Sequence, residues 1–341
     1  MPVFTTQNFG LQNGRVLAEL ALAYETYGRL APERRNAVLV AHGYTSSAHA
    51  ARNAAAEEPG WWDNVVGPGR AIDTERYFAV CSNMLGSSYG STGPASIDPA
   101  TGKPYGPDFP EITLGDIVAA QKLLLEHLGV RHLVAVAGLS YGGYQAFQWG
   151  VTYPDFMDGV VAVASAPKGN GGEAAVQALT AQLAQDPNWN GGRYYENGGI
   201  LETMVAMRID TLRRYGLEAQ LAPAFPDPAQ REQAIRALAY LWARNFDGNS
   251  LLVLRRAAVH FDAERDFAKF RAKLLYVLSR TDKLFPPALA APVMDKLKAA
   301  GIAATYFELD SELGHLASNP EADKWTPVLR QFLAQLEPAR A

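Results

Sequence analysis

Among 341 residues there is a single cysteine, Cys81, so no intramolecular disulfide can form and no cysteine-based metal cluster can be built. It lies in the apolar run 77–81, where it reads as filler of a buried strand. No uninterrupted apolar stretch reaches the roughly 18 residues needed to span a bilayer. The opening residues, MPVFTTQNFGLQNGR, lack both a basic and an apolar segment, so no signal peptide is expected. Neither sign of charge dominates. Thirty-one basic against 35 acidic residues leaves a formal net charge of -4, which offers no electrostatic ground for binding nucleic acid or an anionic membrane. No metal-ligand cluster or nucleotide phosphate loop stands out, so no cofactor is implied. The expectation is a cytoplasmic protein with a small-molecule partner. What is abundant is apolar: 48% of the residues, enough for a large core.

Apolar runs alternate with amphipathic stretches, the pattern of an α/β fold with a mostly parallel sheet covered by helices. Strands are expected at 16–27, 37–41, 77–81, 133–137, 159–164, 274–278 and 304–308. Helical periodicity marks 117–128, and a second helix at 144–153 is stopped by Pro154. The stretch 85–110, rich in Gly, Ser and Pro, reads as a long irregular loop. From 167 to 270 there is no convincing strand, only helical patterns such as 174–184 and 251–260. Roughly 100 residues is too long for an ordinary connection. The expected organisation is a core made of 1–166 and 271–341, with a helical lid, 167–270, inserted over the sheet's C-terminal edge.

Gly138-Leu139-Ser140-Tyr141-Gly142 fits G-x-S-x-G. The pattern alone is common, but here HLVAVA precedes it as a buried strand and GYQAFQWGVTYP follows as a helix. Strand, tight turn and helix form the nucleophile elbow of the α/β-hydrolase fold, which presents a serine Oγ above the sheet edge. Serine needs a base, and the base needs an orienting carboxylate. The chain order in this fold is serine, acid, histidine. Only His260 and His315 follow Ser140. His260 ends a helix inside the lid segment and reads as structural, whereas His315 follows the last expected strand, where a loop can reach the elbow. Asp282 follows the strand 274–278, and Asp310 is the alternative acid. Ser140, Asp282 and His315 are therefore the expected triad.

A tetrahedral intermediate needs hydrogen-bond donors for its oxyanion. The backbone N–H of Tyr141, directly after the nucleophile, is one candidate, and that of Tyr44, in the loop after strand 37–41, is the other. The two tyrosine rings either line an acyl pocket or pack. His42 is expected to hold that loop by hydrogen bonding, and His49 to be structural.

The chain resembles the homoserine O-acetyltransferase branch of the α/β hydrolases through long, unusual strings. Among them are ALAYETYGRL, NAVLVAHGYTSSAHA, WWDNVVGPGRAIDTERYFAVCSNMLG, GSTGPASIDPATGKPYGPDFPEITLGDIVAAQKLLLEHLGV, DPNWNGGRYY, NFDGNSLLVLRRAAVHFD and SRTDKLFPP. The resemblance implies an acyl-enzyme at Ser140, a triad completed by Asp282 and His315, and a homodimer formed through the lid helices. It also shows departures. The family's aspartate after the catalytic histidine, which meets the substrate amino group, is Leu316 here. Its arginine upstream of the DPNW string, which meets the substrate carboxylate, falls on Thr180 by ungapped counting. GLSYGG replaces the family's GGSMGG, so Leu139 and Tyr141 make the site bulkier, and HGYTSS replaces HALTG. Leu139, Leu316 and Thr180 are thus the expected substrate-pocket positions, with both charged handles for an amino acid missing.

Three functions remain. One is a serine hydrolase of small or medium acyl esters. Another is an O-acyltransferase that moves an acyl group from acyl-CoA to a hydroxyl other than homoserine's. The third is an inactive binding protein on the same scaffold, against which the three intact triad positions argue. The first two share an acyl-Ser140 intermediate and differ only in its acceptor.

Overall fold

A strand that reads AVLVA has no polar face to offer water, so it has to be covered on both sides. A computed structural model, which describes residues 1–53 and 57–336, places that strand near the middle of an eight-stranded sheet. The first strands are β1 (Val3–Gly10), β2 (Val16–Tyr27) and β3 (Ala37–Ala41). A small separate parallel pair, β4 (Val66–Gly67) and β5 (Ile72–Asp73), comes next. The sheet continues with β6 (Phe78–Ser82), β7 (Leu133–Leu139), β8 (Met157–Val163), β9 (Lys273–Ser279) and β10 (Ala304–Leu309). The order across the sheet is β1-β2-β6-β3-β7-β8-β9-β10. All neighbours are parallel except β1–β2 and β2–β6.

The helices are α1 (Leu114–His127), α2 (Tyr141–Thr152), α3 (Gly172–Leu183), α4 (Leu201–Tyr215), α5 (Leu217–Leu221), α6 (Pro228–Ala243), α7 (Gly248–Val259), α8 (Ala290–Ala299) and α9 (Thr326–Ala334). Alternate side chains of each parallel strand feed two cores. Leu39, Val136 and Val160 pack with α1 and α2, whereas Val38, Ala137 and Val161 pack with α9 and the segment around Trp62. On α9, burial of Leu329, Phe332 and Leu333 stabilises by roughly 1.5–3 kcal/mol per side chain. The start of α1 is fixed by a capping box: the Thr113 hydroxyl accepts from the Asp116 N–H, and the Asp116 carboxylate accepts from the Thr113 N–H.

The expected strands all form, with ends shifted by no more than two residues; β7, for example, runs on to Leu139. The sheet's outer strand, β1, was not anticipated. Only Phe4 and Phe9 of its eight residues are buried, so it lacks the apolar run that betrays a covered strand. Between β8 and β9 the described residues form α3 to α7 and no strand, apart from one isolated bridge between Lys168 and Asp262. Residues 337–341 of the expected core segment lie outside the described residues. Cys81 is a free, buried thiol in β6. No helix among the described residues is long and apolar enough to cross a membrane.

Candidate active site

The chain turns from β7 into α2 at Ser140, which adopts φ 58° and ψ −118°. A non-glycine residue there carries strain of about 1–3 kcal/mol, and the surroundings hold it in place. The Ser140 N–H donates to the Val163 carbonyl (2.8 Å), and its carbonyl accepts from Ser165 Oγ (2.7 Å) and the Gly143 N–H (2.8 Å). The flanking glycines are needed for close approach. A Cβ on Gly138 would lie 1.9 Å from the Gly142 carbonyl oxygen, and one on Gly142 would lie 1.9 Å from that of Ala41.

Beyond the end of β9, Asp282 is buried, and its Oδ1 accepts from the backbone N–H groups of Leu284 (2.8 Å) and Phe285 (3.2 Å). That leaves Oδ2 for His315 Nδ1, 2.8 Å away. The imidazole is 4% exposed and sits between the rings of Tyr215 (4.9 Å) and Phe285 (5.7 Å). With Nδ1 turned to the carboxylate, Nε2 has no partner among the described residues. Ser140 and His315 line the same cavity, of about 660 Å³. Asp310 does not join them. It is a surface residue whose carboxylate accepts from Arg280 Nε at 2.7 Å. His260 is exposed at the end of α7, and His49 is held by Glu25 (3.0 Å) and the Glu58 carbonyl (2.9 Å).

The loop after β3, which carries Tyr44, is oriented from behind. The Met84 N–H donates to His42 Nε2 (3.2 Å), so the proton sits on Nδ1 and is donated to the Gly43 carbonyl (2.8 Å). Because a peptide is planar and trans, turning the Gly43 carbonyl toward His42 turns the Tyr44 N–H the other way. Gln145 Nε2 donates to the His42 carbonyl (3.1 Å), and Gln121 in turn donates to Gln145 (2.7 Å). Neither the Tyr44 nor the Tyr141 N–H has a partner among the described residues. The two rings stack on each other at 5.7 Å, and their hydroxyls donate to the carbonyls of Leu251 and Leu254 on α7. They brace the loop and the elbow against that helix. Tyr44 also forms part of the cavity wall, whereas Tyr141 does not.

Burial of His42 lowers its pKa from the usual 6.5 to about 4. The unfolded chain therefore binds a proton that the folded one refuses. This contribution to stability is intact above pH 6.5 and is lost as pH falls toward 4. From pH 7 to 4.5 the loss is about 2 kcal/mol. Urea unfolding of wild type and His42→Asn at the two pH values should show the wild type losing that much more. Equal losses would mean that His42 is not held neutral.

Leu139 and Leu316 lie in the cavity wall. Thr180 does not, which corrects the expectation: its hydroxyl bonds back to the Val176 carbonyl within α3 (2.9 Å), away from the site. The cavity does hold a cation, Arg208 of α4. Its Nη1 donates to Thr45 Oγ1 (2.9 Å), its guanidinium lies 4.8 Å over the Trp242 ring, and its buried Nε has no partner among the described residues. Desolvation lowers its pKa. So the cavity contains one cation after all, contributed from downstream of the DPNW string. Helical spacing could have flagged it, because Met204, Arg208, Leu212 and Tyr215 recur at i, i+4, i+8 and i+11 on one otherwise apolar face. Arg213 faces outward and pairs with Glu232 (2.6 Å). No Asp or Glu is among the described residues lining this cavity. The described residues contain no group of three or more His, Cys, Asp or Glu able to hold a metal.

The model of the α/β-hydrolase fold matches residues 36–318. A homoserine O-acetyltransferase of Moorella thermoacetica is 39% identical, covering 98% of this chain and 95% of its own. One from Geobacter sulfurreducens is 38% identical over 96% and 95%. The chain belongs to the homoserine O-acetyltransferase family of α/β hydrolases. Solved relatives fall on both sides of the hydrolysis–transfer divide. Esterase E22 superposes with a TM-score of 0.88 at 30% identity, covering 97% of this chain and 99% of its own. The homoserine O-acetyltransferase of Bacillus anthracis gives 0.87 at 28%, covering 97% and 96%. Membership makes the protein an enzyme of the hydrolase or O-acyltransferase class. Within the family, the residues facing Ser140 have to decide between the two.

Proposed function

We propose that the protein is a serine hydrolase of small or medium acyl esters. Ser140 is the nucleophile, His315 the general base, Asp282 its orienting acid, and the N–H groups of Tyr44 and Tyr141 the oxyanion donors. In this reading His315 Nε2 takes the proton from Ser140 Oγ as the serine attacks the ester carbonyl. It then gives that proton to the departing alkoxide, and water, activated by the same imidazole, releases the acid. Helices α3 to α7 act as the lid.

The observation that carries the hydrolase reading is the charge of the cavity: one cation, Arg208, and no carboxylate, with Leu316 directly after His315. An amino-acid acceptor brings both charges. Its carboxylate would find Arg208, but its ammonium would find only apolar or neutral walls. One absent charge-assisted contact of about 1.5–3 kcal/mol corresponds to roughly 10–10²-fold weaker capture of the zwitterion.

A second reading, O-acyl transfer from acyl-CoA, is favoured by Arg208 itself, which suits an acceptor carrying a carboxylate and no amine. One partition assay separates them. Acetyl-CoA or p-nitrophenyl acetate is supplied with millimolar homoserine or, separately, 4-hydroxybutyrate. Acetate is the expected main product in both. Predominant O-acetylhomoserine would overturn the charge argument, whereas a predominant acetyl ester of 4-hydroxybutyrate would establish the transferase.

A further inference from the structure

Tyr89 belongs to the walls of two cavities, the one containing Ser140 and a second of about 500 Å³ on the far side of the 83–93 loop. Its backbone is held at φ 68°, in the left-handed region, which sets the ring against the edge of Phe246 at 5.9 Å. The loop is braced at both ends. Asn83 Nδ2 donates to the Ser88 carbonyl, Ser88 Oγ accepts from the Asp247 N–H (2.9 Å), and the Thr92 N–H donates to the Ala21 carbonyl of β2 (2.8 Å). A strained tyrosine on a braced loop is a fixed wall rather than a mobile side chain.

The second cavity has a different chemistry from the first. Hydroxyl residues Ser87, Ser88, Ser91, Thr92 and Ser96 line it, together with Glu19 and with Asp247, whose carboxylate is held by Tyr194, Tyr195 and the Ser250 N–H, and no Lys or Arg is among the described residues lining it. Ser87 Oγ is buried without a partner among the described residues. Ala21, Ala95, Ile97, Pro99 and Tyr105 also line it, so hydrogen-bonding groups stand beside apolar surface with no cation for an anion, a combination that suits a neutral chain bearing oxygens.

We propose that Tyr89 is the partition that limits substrate length at Ser140, and that the cavity behind it is a subsite for a neutral, oxygen-bearing extension of the substrate. The inference rests on Ser140 being the nucleophile. Its test therefore uses fluorophosphonates, which report entry to the serine whether the acyl group would go to water or to another acceptor. Three probes are compared by labelling rate at Ser140: a short ethyl, a decyl-linked and an oligo(ethylene glycol)-linked fluorophosphonate. Tyr89→Gly removes the ring and suits the positive φ. Relative to the short probe, long-probe labelling should rise roughly tenfold, the effect of admitting about two further methylene-sized units. The glycol chain should gain more than the decyl chain. Adding Ala95→Trp, an exposed position on the wall of the second cavity, should cancel the gain. An unchanged long-to-short ratio in Tyr89→Gly, or a gain that survives Ala95→Trp, overturns the partition. A larger gain for decyl overturns the polar subsite. Failure of the short probe to label Ser140 in wild type would instead remove the nucleophile assignment on which the inference rests.

Discussion

Replacing Ser140 by Ala is expected to lower kcat for ester hydrolysis by roughly 10⁴–10⁶ while the fold persists. Two physical points support so large an effect. The first is the backbone at Ser140, which is strained yet clamped by Val163, Ser165 and Gly143. The second is the His315 imidazole, which is held by Asp282 and lines the same cavity as Ser140. Alanine keeps the clamps, because they involve the Ser140 backbone and not its hydroxyl, so thermal stability should change little. A fluorophosphonate should modify wild type at Ser140 alone. Labelling that persists in Ser140→Ala would move the nucleophile elsewhere and sink the assignment.

How far the sequence could be read follows from what each feature depends on. Strands β3 and β7 announce themselves because burial on both faces excludes polar residues, and that exclusion is visible as a run. Strand β1 has one exposed edge and only two buried side chains, so its pattern matches many surface segments. The elbow is legible because its glycines are required by contact distances of backbone atoms, which leaves no alternative residue. Pairing of Asp282 with His315 was accessible from chain order and strand ends alone. Arg208 was not reached, since ungapped counting from the DPNW string led to Thr180 on α3, whereas the cavity cation comes from α4. Counting along the chain does not reveal which of α3 to α7 turns toward Ser140; helical spacing marks Arg208 on an apolar face, and packing places that face at the cavity. Tyr89 escaped for a similar reason, because it lies in a loop with no periodicity and its meaning appears only when two cavities share it.

The acid is where the alternatives from the sequence were closest, and the expected results diverge sharply. Asp282→Asn should cost about 10⁴ in kcat. Asp282 Oδ1 is occupied by two backbone N–H groups and Oδ2 by His315 Nδ1. An asparagine fitted to the same contacts keeps its carbonyl toward the backbone donors, which turns its NH₂ toward the imidazole. Nδ1 then has to accept, the ring proton moves to Nε2, and the base facing Ser140 is lost. Asp310→Asn should cost little, since its carboxylate is exposed and spent on Arg280. A solvent-screened surface pair of that kind contributes little. Steady-state kcat for p-nitrophenyl acetate, measured with both variants at one pH, reads the difference directly. Near-wild-type turnover in Asp282→Asn together with collapse in Asp310→Asn would require the loop between β10 and His315 to reorganise around the imidazole.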